Sequence, residues 1–241
     1  MLDSTRAVVL HTLPYSDRYL IVHTYTESFG RVSFLTARTR GKRTLVPISL
    51  FRPMAVVDLV TDQQSKRELQ RIHEAKLSFP QLRISSDPVK SAIGMFLSEV
   101  LFRTLRTSES DPQLFAFLYD SIELLDEVEM GVANFHIVFL LRLLHYVGIF
   151  PNTDSYEAGA FFDMRNSVFT MGKPVHDNFL SPSESAVFEQ LLRISYGNMS
   201  LYRFSREDRV KILTHILAYY RLHLPEFPEI KSFAVLQSLF D

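Results

Sequence analysis

The chain has 241 residues, 46% of them hydrophobic and 22% charged, with 26 Lys+Arg against 27 Asp+Glu. That composition belongs to a folded globular protein of one large domain or two smaller ones, and excludes long disordered tracts. The lack of any Cys excludes disulfides and thiolate metal ligands and fits a reducing cytosol, while neither a signal peptide nor a membrane-spanning apolar run is expected.

The near-neutral total hides an asymmetry. Residues 1–83 hold 13 basic against 7 acidic side chains, and residues 84–241 hold 13 against 20. A basic N-terminal part joined to an acidic remainder points to two domains with different partners, the basic one suited to a polyanion.

In chain order, residues 7–13, 18–26, 31–37, 55–61 and 68–79 are rich in Val, Ile, Thr and aromatics and read as five strands. The intervening LPYSD, ESFG, TRGKR and RP are turn material. Five strands in so short a span are too few for a sandwich and predict a small closed barrel of the OB-fold type. The pattern changes at Ser85-Ser86-Asp87-Pro88, where a cap and a first-turn proline start a helix carrying Val89, Ile93, Phe96, Leu97, Val100 and Leu101 on one face. Asp111-Pro112 repeats the signal. A third helix, about 132–147, is apolar nearly all round, ends at Gly148 and should be central to a bundle. FFDM and SVFT, around Arg165-Asn166, predict a small hairpin within about 151–180. Ser181-Pro-Ser-Glu184 starts a helix that Gly197 is expected to stop, and Ser205-x-x-Asp208 starts another that runs to about Leu224. The fold expected is α+β: a five-stranded barrel over 1–82, then a helical domain over 83–241 with a hairpin insertion.

Catalytic and metal motifs fail on inspection. Gly41-Lys42 resembles the end of a phosphate-binding loop, but Arg43 stands where Ser or Thr is needed and Thr36 where the first Gly is needed. None of the eight His are spaced i,i+4. What survives is the TARTRGKRT segment, which places Arg38, Arg40, Lys42 and Arg43 around Gly41. Such a run is often just a solvated turn. Leaving a barrel whose strand 2–3 face suits oligonucleotides, it is instead expected to contact phosphates through arginine forks, with Arg31 assisting across the preceding turn. Tyr15, Tyr19, Tyr25 and Phe34 lie close by, each either a stacking platform or barrel core.

Three stretches carry a resemblance. AVVLHTLPYSDRYLIVHTYTESFGRVSFLTARTRGKR, then SEVLFRTL with Glu99 and Arg103 at i,i+4, then YYRLHLPEFPEIKS follow one another as in the RecO family of bacterial recombination mediators. The chain resembles that family over essentially its whole length. The resemblance implies a protein without catalytic turnover or cofactor. Such a protein binds single- and double-stranded DNA, anneals strands, engages the acidic, apolar-ended C-terminal tail of the single-strand binding protein SSB, pairs with RecR and assists RecA loading, all in the cytoplasm near the nucleoid. Many members carry a four-cysteine zinc module after the central helix. Here 151–180 has no Cys, so no metal is expected by that route. Arg142, alone among the apolar residues of 132–147, and Lys231, in the Lys-Ser match, are the expected cations for the SSB tail, with Leu141 or His145 as apolar wall. The plainer alternative pairs Arg142 with a carboxylate such as Glu99 and leaves Lys231 solvated. The alternative function is a non-catalytic docking module for RNA or a protein assembly.

Overall fold

The structure, a computed structural model, describes residues 2–37, 46–64, 66–106 and 109–238. Strands β1 (Asp3–Pro14), β2 (Tyr19–Thr26), β3 (Gly30–Ala37), β4 (Val56–Asp62) and β5 (Leu69–Leu77) close a barrel in the order β1-β2-β3-β5-β4. The expected five-stranded barrel is therefore present. Parallel pairing of β3 with β5, Ser33 opposite Leu69 and Leu35 opposite Arg71, shuts it. Alternate residues fill the interior: Ala7, Val9, Leu20, Val22, Phe34, Val57 and Leu59 form one buried cluster. The first strand starts at Asp3, ahead of its apolar run, because Asp3 to Val8 pair with β4 in register, Ala7 opposite Val57.

Helices α1 (Leu82–Ser86), α2 (Pro88–Thr104) and α3 (Pro112–Glu127) follow. Asp87 and Asp111 cap α2 and α3 as their Asp-Pro pairs predict. Each accepts two first-turn N–H groups, from Val89 and Lys90 and from Gln113 and Leu114. These helices pack on the barrel. Val8 and Leu10 point away from its core yet are buried, and Ser98 Oγ on α2 donates to the Leu10 carbonyl. Tyr25, outward on β2, is buried by the chain entering α3: its hydroxyl donates to the Glu109 carbonyl at 3.0 Å and accepts the Asp111 N–H at 3.0 Å.

By packing, the chain forms two compact units. The first runs to Val128 and takes the chain back from Ile230, and the second spans Glu129 to Glu229. That division falls later than 82/83, where strand pattern gives way to helix pattern, because α1 to α3 pack with the barrel. In the second unit α4 (Phe135–Tyr146) is buried along nearly its whole length, preceded by a 3-10 turn over Val132–Asn134, and Gly148 takes a positive φ of 73° just beyond it. The hairpin of β6 (Phe161–Asp163) and β7 (Val168–Thr170) gains a third strand, β8 (Phe179–Leu180), giving the order β7-β6-β8. Helices α5 (Pro182–Leu192) and α6 (Arg206–His223) both open on capping boxes, Ser181 with Glu184 and Ser205 with Asp208. The stop expected at Gly197 comes earlier: α5 ends at Leu192, and the Asn198 side chain accepts the Ser195 N–H at 2.7 Å in the turn beyond. Helix α7 (Ser232–Ser238) returns to pack on α2 in the first unit. No helix among the described residues is long and apolar enough to cross a membrane.

Candidate nucleic-acid interface

The outward residues of β2 and β3 pair across the strands: Tyr19 with Ala37, Ile21 with Leu35, His23 with Ser33, Tyr25 with Arg31. Tyr25 is covered, but the others line an open face of half-buried and exposed side chains. His23 Nδ1 lies 2.7 Å from Ser33 Oγ, fixing the imidazole across the pair. Of the four aromatics near this face, Tyr25 and Phe34 are fully buried, while Tyr15 and Tyr19 are 61% and 43% exposed and remain able to stack on a base.

At one end of the face stands Arg31, the first side chain of β3 after Gly30. Its guanidinium lies 4.7 Å from the ring centroid of Phe102, near the end of α2, and Arg103 sits 5.1 Å from the same ring. His11 and His23 pack on that ring too, at 4.6 and 5.1 Å, and stack on each other. Burial lowers Arg31 to about 10, which leaves it cationic at neutral pH. Burial, then Arg31 and His11, press His23 down to about 4. Burial, then Arg103 and Arg31, lower His11 as well, against a weaker opposing pull from Glu99. The cluster thus holds its positive charge on guanidinium groups, with neutral imidazoles beside them. A cleft of about 490 Å³ opens here, lined by Arg31, Gln63, Arg67, Gln70, Phe102 and Arg106 among others. Gln70 stitches the β4–β5 turn that bears Arg67: its Oε1 accepts the Gln64 N–H, and its Nε2 donates to the carbonyls of Gln64 and Arg67.

At the other end Tyr19, Leu35, Ala37, Val46, Arg71 and Ile72 border a hollow of about 390 Å³. The strand leads from here into the basic segment, whose Arg38, Arg40, Lys42 and Arg43 lie outside the described residues. Arg31 thus occupies the start of the strand whose far end enters that segment. From Arg31 to Ala37 an extended strand covers about 20 Å.

The expected tail-binding cations are both exposed, Arg142 in the second unit and Lys231 in the first. Exposure removes the desolvation cost that burial within an apolar helix would impose on Arg142; its guanidinium lies 5.5 Å over the Tyr196 ring. Leu141 is buried, and His145 is exposed and stacked on Phe150 at 3.6 Å. The Glu99 carboxylate takes the N–H groups of Lys231 and Ser232 at 3.1 and 2.8 Å. Sequence reasoning missed an apolar hollow of about 360 Å³ between α5 and α6, walled by Val187, Phe188, Leu191, Phe204 and Ile212. Lys211 on its rim is matched by Glu184 at 2.9 Å, so that rim carries little free positive charge. Among the described residues no group of three or more His, Cys, Asp or Glu is placed to hold a metal ion.

Comparison with known proteins adds the rest. Two family models match end to end: Recombination protein O N terminal over residues 1–80 and Recombination protein O C terminal over residues 85–232. Among curated proteins the chain is 44% identical over 242 residues to the DNA repair protein RecO of Bacteroides fragilis, and 40% identical over 241 residues to that of Azobacteroides pseudotrichonymphae, covering the whole of both chains in each case. The DNA repair protein RecO of Flavobacterium johnsoniae is 29% identical over 237 residues, 98% of either chain.

Proposed function

The chain belongs to the RecO family, and we propose that it is a DNA repair and recombination mediator without catalytic turnover. It binds single- and double-stranded DNA, anneals complementary strands, and with RecR assists RecA loading on SSB-coated DNA in the nucleoid region of the cytoplasm. In this reading residues 1–82 are the DNA-binding domain and residues 83–241 carry the contacts to protein partners.

The observation that carries the reading is the open β2–β3 face. It is a barrel face with aliphatic, neutral polar and aromatic side chains along its floor, guanidinium groups at one end and the basic segment leaving the other. Phosphate backbones reward such charge regardless of base sequence, and exposed aromatics such as Tyr19 serve any base equally. Arg38, Arg40, Lys42 and Arg43 are assigned to phosphates, with Arg31. Annealing needs this sequence tolerance, since both strands must be held without reading either. Arg142 and Lys231 are assigned to the acidic SSB tail.

The test is annealing of complementary strands coated with the cognate SSB. Acceleration by the protein, at a stoichiometric rather than catalytic dose and without nucleotide hydrolysis, supports the proposal. No acceleration on coated or naked strands, or binding confined to RNA or to a protein, would refute it.

A further inference from the structure

The second unit carries a projecting apolar tip and an apolar hollow, and neither takes part in holding DNA on the barrel. Residues 171–178 connect β7 to β8. Met171 there is 59% exposed and Val175 fully so, with Lys173, also exposed, between them. Single exposed apolar side chains are common on a folded surface. These two share a short connection whose base is fixed. His176, next to Val175, places Nε2 3.2 Å from Asp163 Oδ1 on β6, and the same Asp163 oxygen accepts the N–H groups of Arg165 and Asn166. The Asn178 carbonyl accepts the Met164 N–H at 3.1 Å, and Lys173 Nζ stands 5.4 Å from the centroid of the Phe179 ring. A tip held in this way loses little freedom when it is bound.

The hollow of about 360 Å³ between α5 and α6 lacks what the tip presents. Its walls are aliphatic and aromatic, and Val187 among them is 44% exposed. The charged and titratable groups that line it are Glu184, Asp208, Lys211 and His215. Burial, outweighing the pull of Glu184, lowers His215 and leaves it neutral at neutral pH. Two carboxylates therefore stand against one ammonium group, a rim unsuited to an acidic peptide and suited to an apolar segment that bears a cation. Met171, Lys173 and Val175 make up such a segment. We propose that the hollow of one copy of this chain receives the 171–175 tip of a second copy, with Met171 and Val175 against the apolar walls and Lys173 beside Asp208. The contact pairs unlike surfaces of the two copies. So short a tip buries far less than the roughly 1,200 Å² of a stable interface, which makes the association weak and transient. Copies gathered on one DNA strand meet at raised effective concentration, where a weak contact becomes populated.

The experiment is sedimentation velocity of the full chain, without DNA, from about 10 μM to about 1 mM at low salt. The average mass of the wild type should rise with concentration. The tip variant M171D/V175D and the hollow variant V187D should each associate at least about tenfold more weakly, since each sets a carboxylate against an apolar surface. K173E, which alters only an exposed side chain, should weaken association too and keeps the test decisive where V187D disturbs folding. An equal mixture of the tip and hollow variants should associate more than either alone, because an intact hollow then meets an intact tip. A wild type that stays monomeric up to about 1 mM overturns the proposal. So does association untouched by the folded tip variants, or a mixture no more associated than its parts. A synthetic SSB-tail peptide that binds the wild type, loses that binding in V187D and keeps it in the tip variant would assign the hollow to that peptide and likewise overturn it. None of these outcomes depends on DNA binding, which the annealing assay tests separately.

Discussion

Glu99 and Ser232 lie 133 residues apart in sequence, yet the Glu99 carboxylate takes both the backbone N–H of Ser232, at 2.8 Å, and its hydroxyl. Its other oxygen accepts the Lys231 N–H at 3.1 Å. A side chain of α2 thereby caps the first turn of α7, supplying acceptors the short helix cannot supply itself. Burial pushes the carboxyl up, but the hydrogen bonds from Ser232 and Lys231 outweigh it and hold the group below its ordinary range. Glu99→Ala should cost about 1–3 kcal/mol in urea unfolding and speed amide exchange over 232–238. Since the folded group is the stronger acid, its stabilisation is complete above the unfolded carboxylate pKa and is lost as pH falls through the lower folded value. An unchanged midpoint and unchanged exchange would show the cap to be idle.

The same cap fixes the backbone of Lys231 while leaving its side chain exposed. Reversing Arg142 and Lys231 to Glu should weaken binding of an SSB-tail peptide by at least about tenfold, the loss of roughly 1.4 kcal/mol or more. Affinity for naked single-stranded DNA should stay within about twofold. Isothermal titration with both ligands separates the outcomes. Normal peptide binding with impaired DNA binding would place the two functions otherwise.

Glu184 predicts acid sensitivity in the second unit. Burial raises its carboxyl, but the Ser181 hydroxyl, then Lys211, the Ser181 N–H and His215 act the other way and bring it to about 2. With an unfolded value near 4.3, its contribution is present above that pH and is lost progressively as pH falls toward 2. Glu184→Gln should cost on the order of 1–2 kcal/mol at neutral pH, allowing for solvent screening, and flatten the stability profile across that acid window. Thermal melts across the range check both.

The three-stranded sheet is held by rings. Phe162 is fully buried and meets Phe169, Phe188 and Tyr219 at 4.9, 4.8 and 5.9 Å, while Ser185 Oγ accepts its N–H at 2.7 Å. Phe162→Ala should therefore cost about 3–5 kcal/mol, whereas a strong chelator should leave the melting temperature unchanged. A fall in melting temperature on chelation would show that a metal staples this segment after all.

Much of this was legible because it is local. The alternation of Leu20, Val22 and Thr24, the Asp-Pro starts of α2 and α3 and the two capping boxes are written within a few residues each. The strand 2–3 face followed once five strands were counted. What escaped depends on distant meetings. Nothing near Arg31 in sequence shows that Phe102 comes to lie under it, and Arg67 and Arg106 read as ordinary surface cations until the cleft joins them. The two-residue β8 is too short to show a period, and exists because Phe162 offers it an edge. The first turn of helix α7 takes its acceptor from Glu99, on α2 and 133 residues away.

The central claim is that a cationic barrel face holds DNA through its phosphates. The direct measurement is the salt dependence of single-stranded DNA binding with Arg38, Arg40, Lys42 and Arg43 replaced together by Gln, tested on several base sequences. The wild-type slope should include a part of about −3 from these four contacts. The folded variant should lose that part and bind every sequence more weakly by a similar factor. Unchanged affinity and slope in the folded variant would contradict the account.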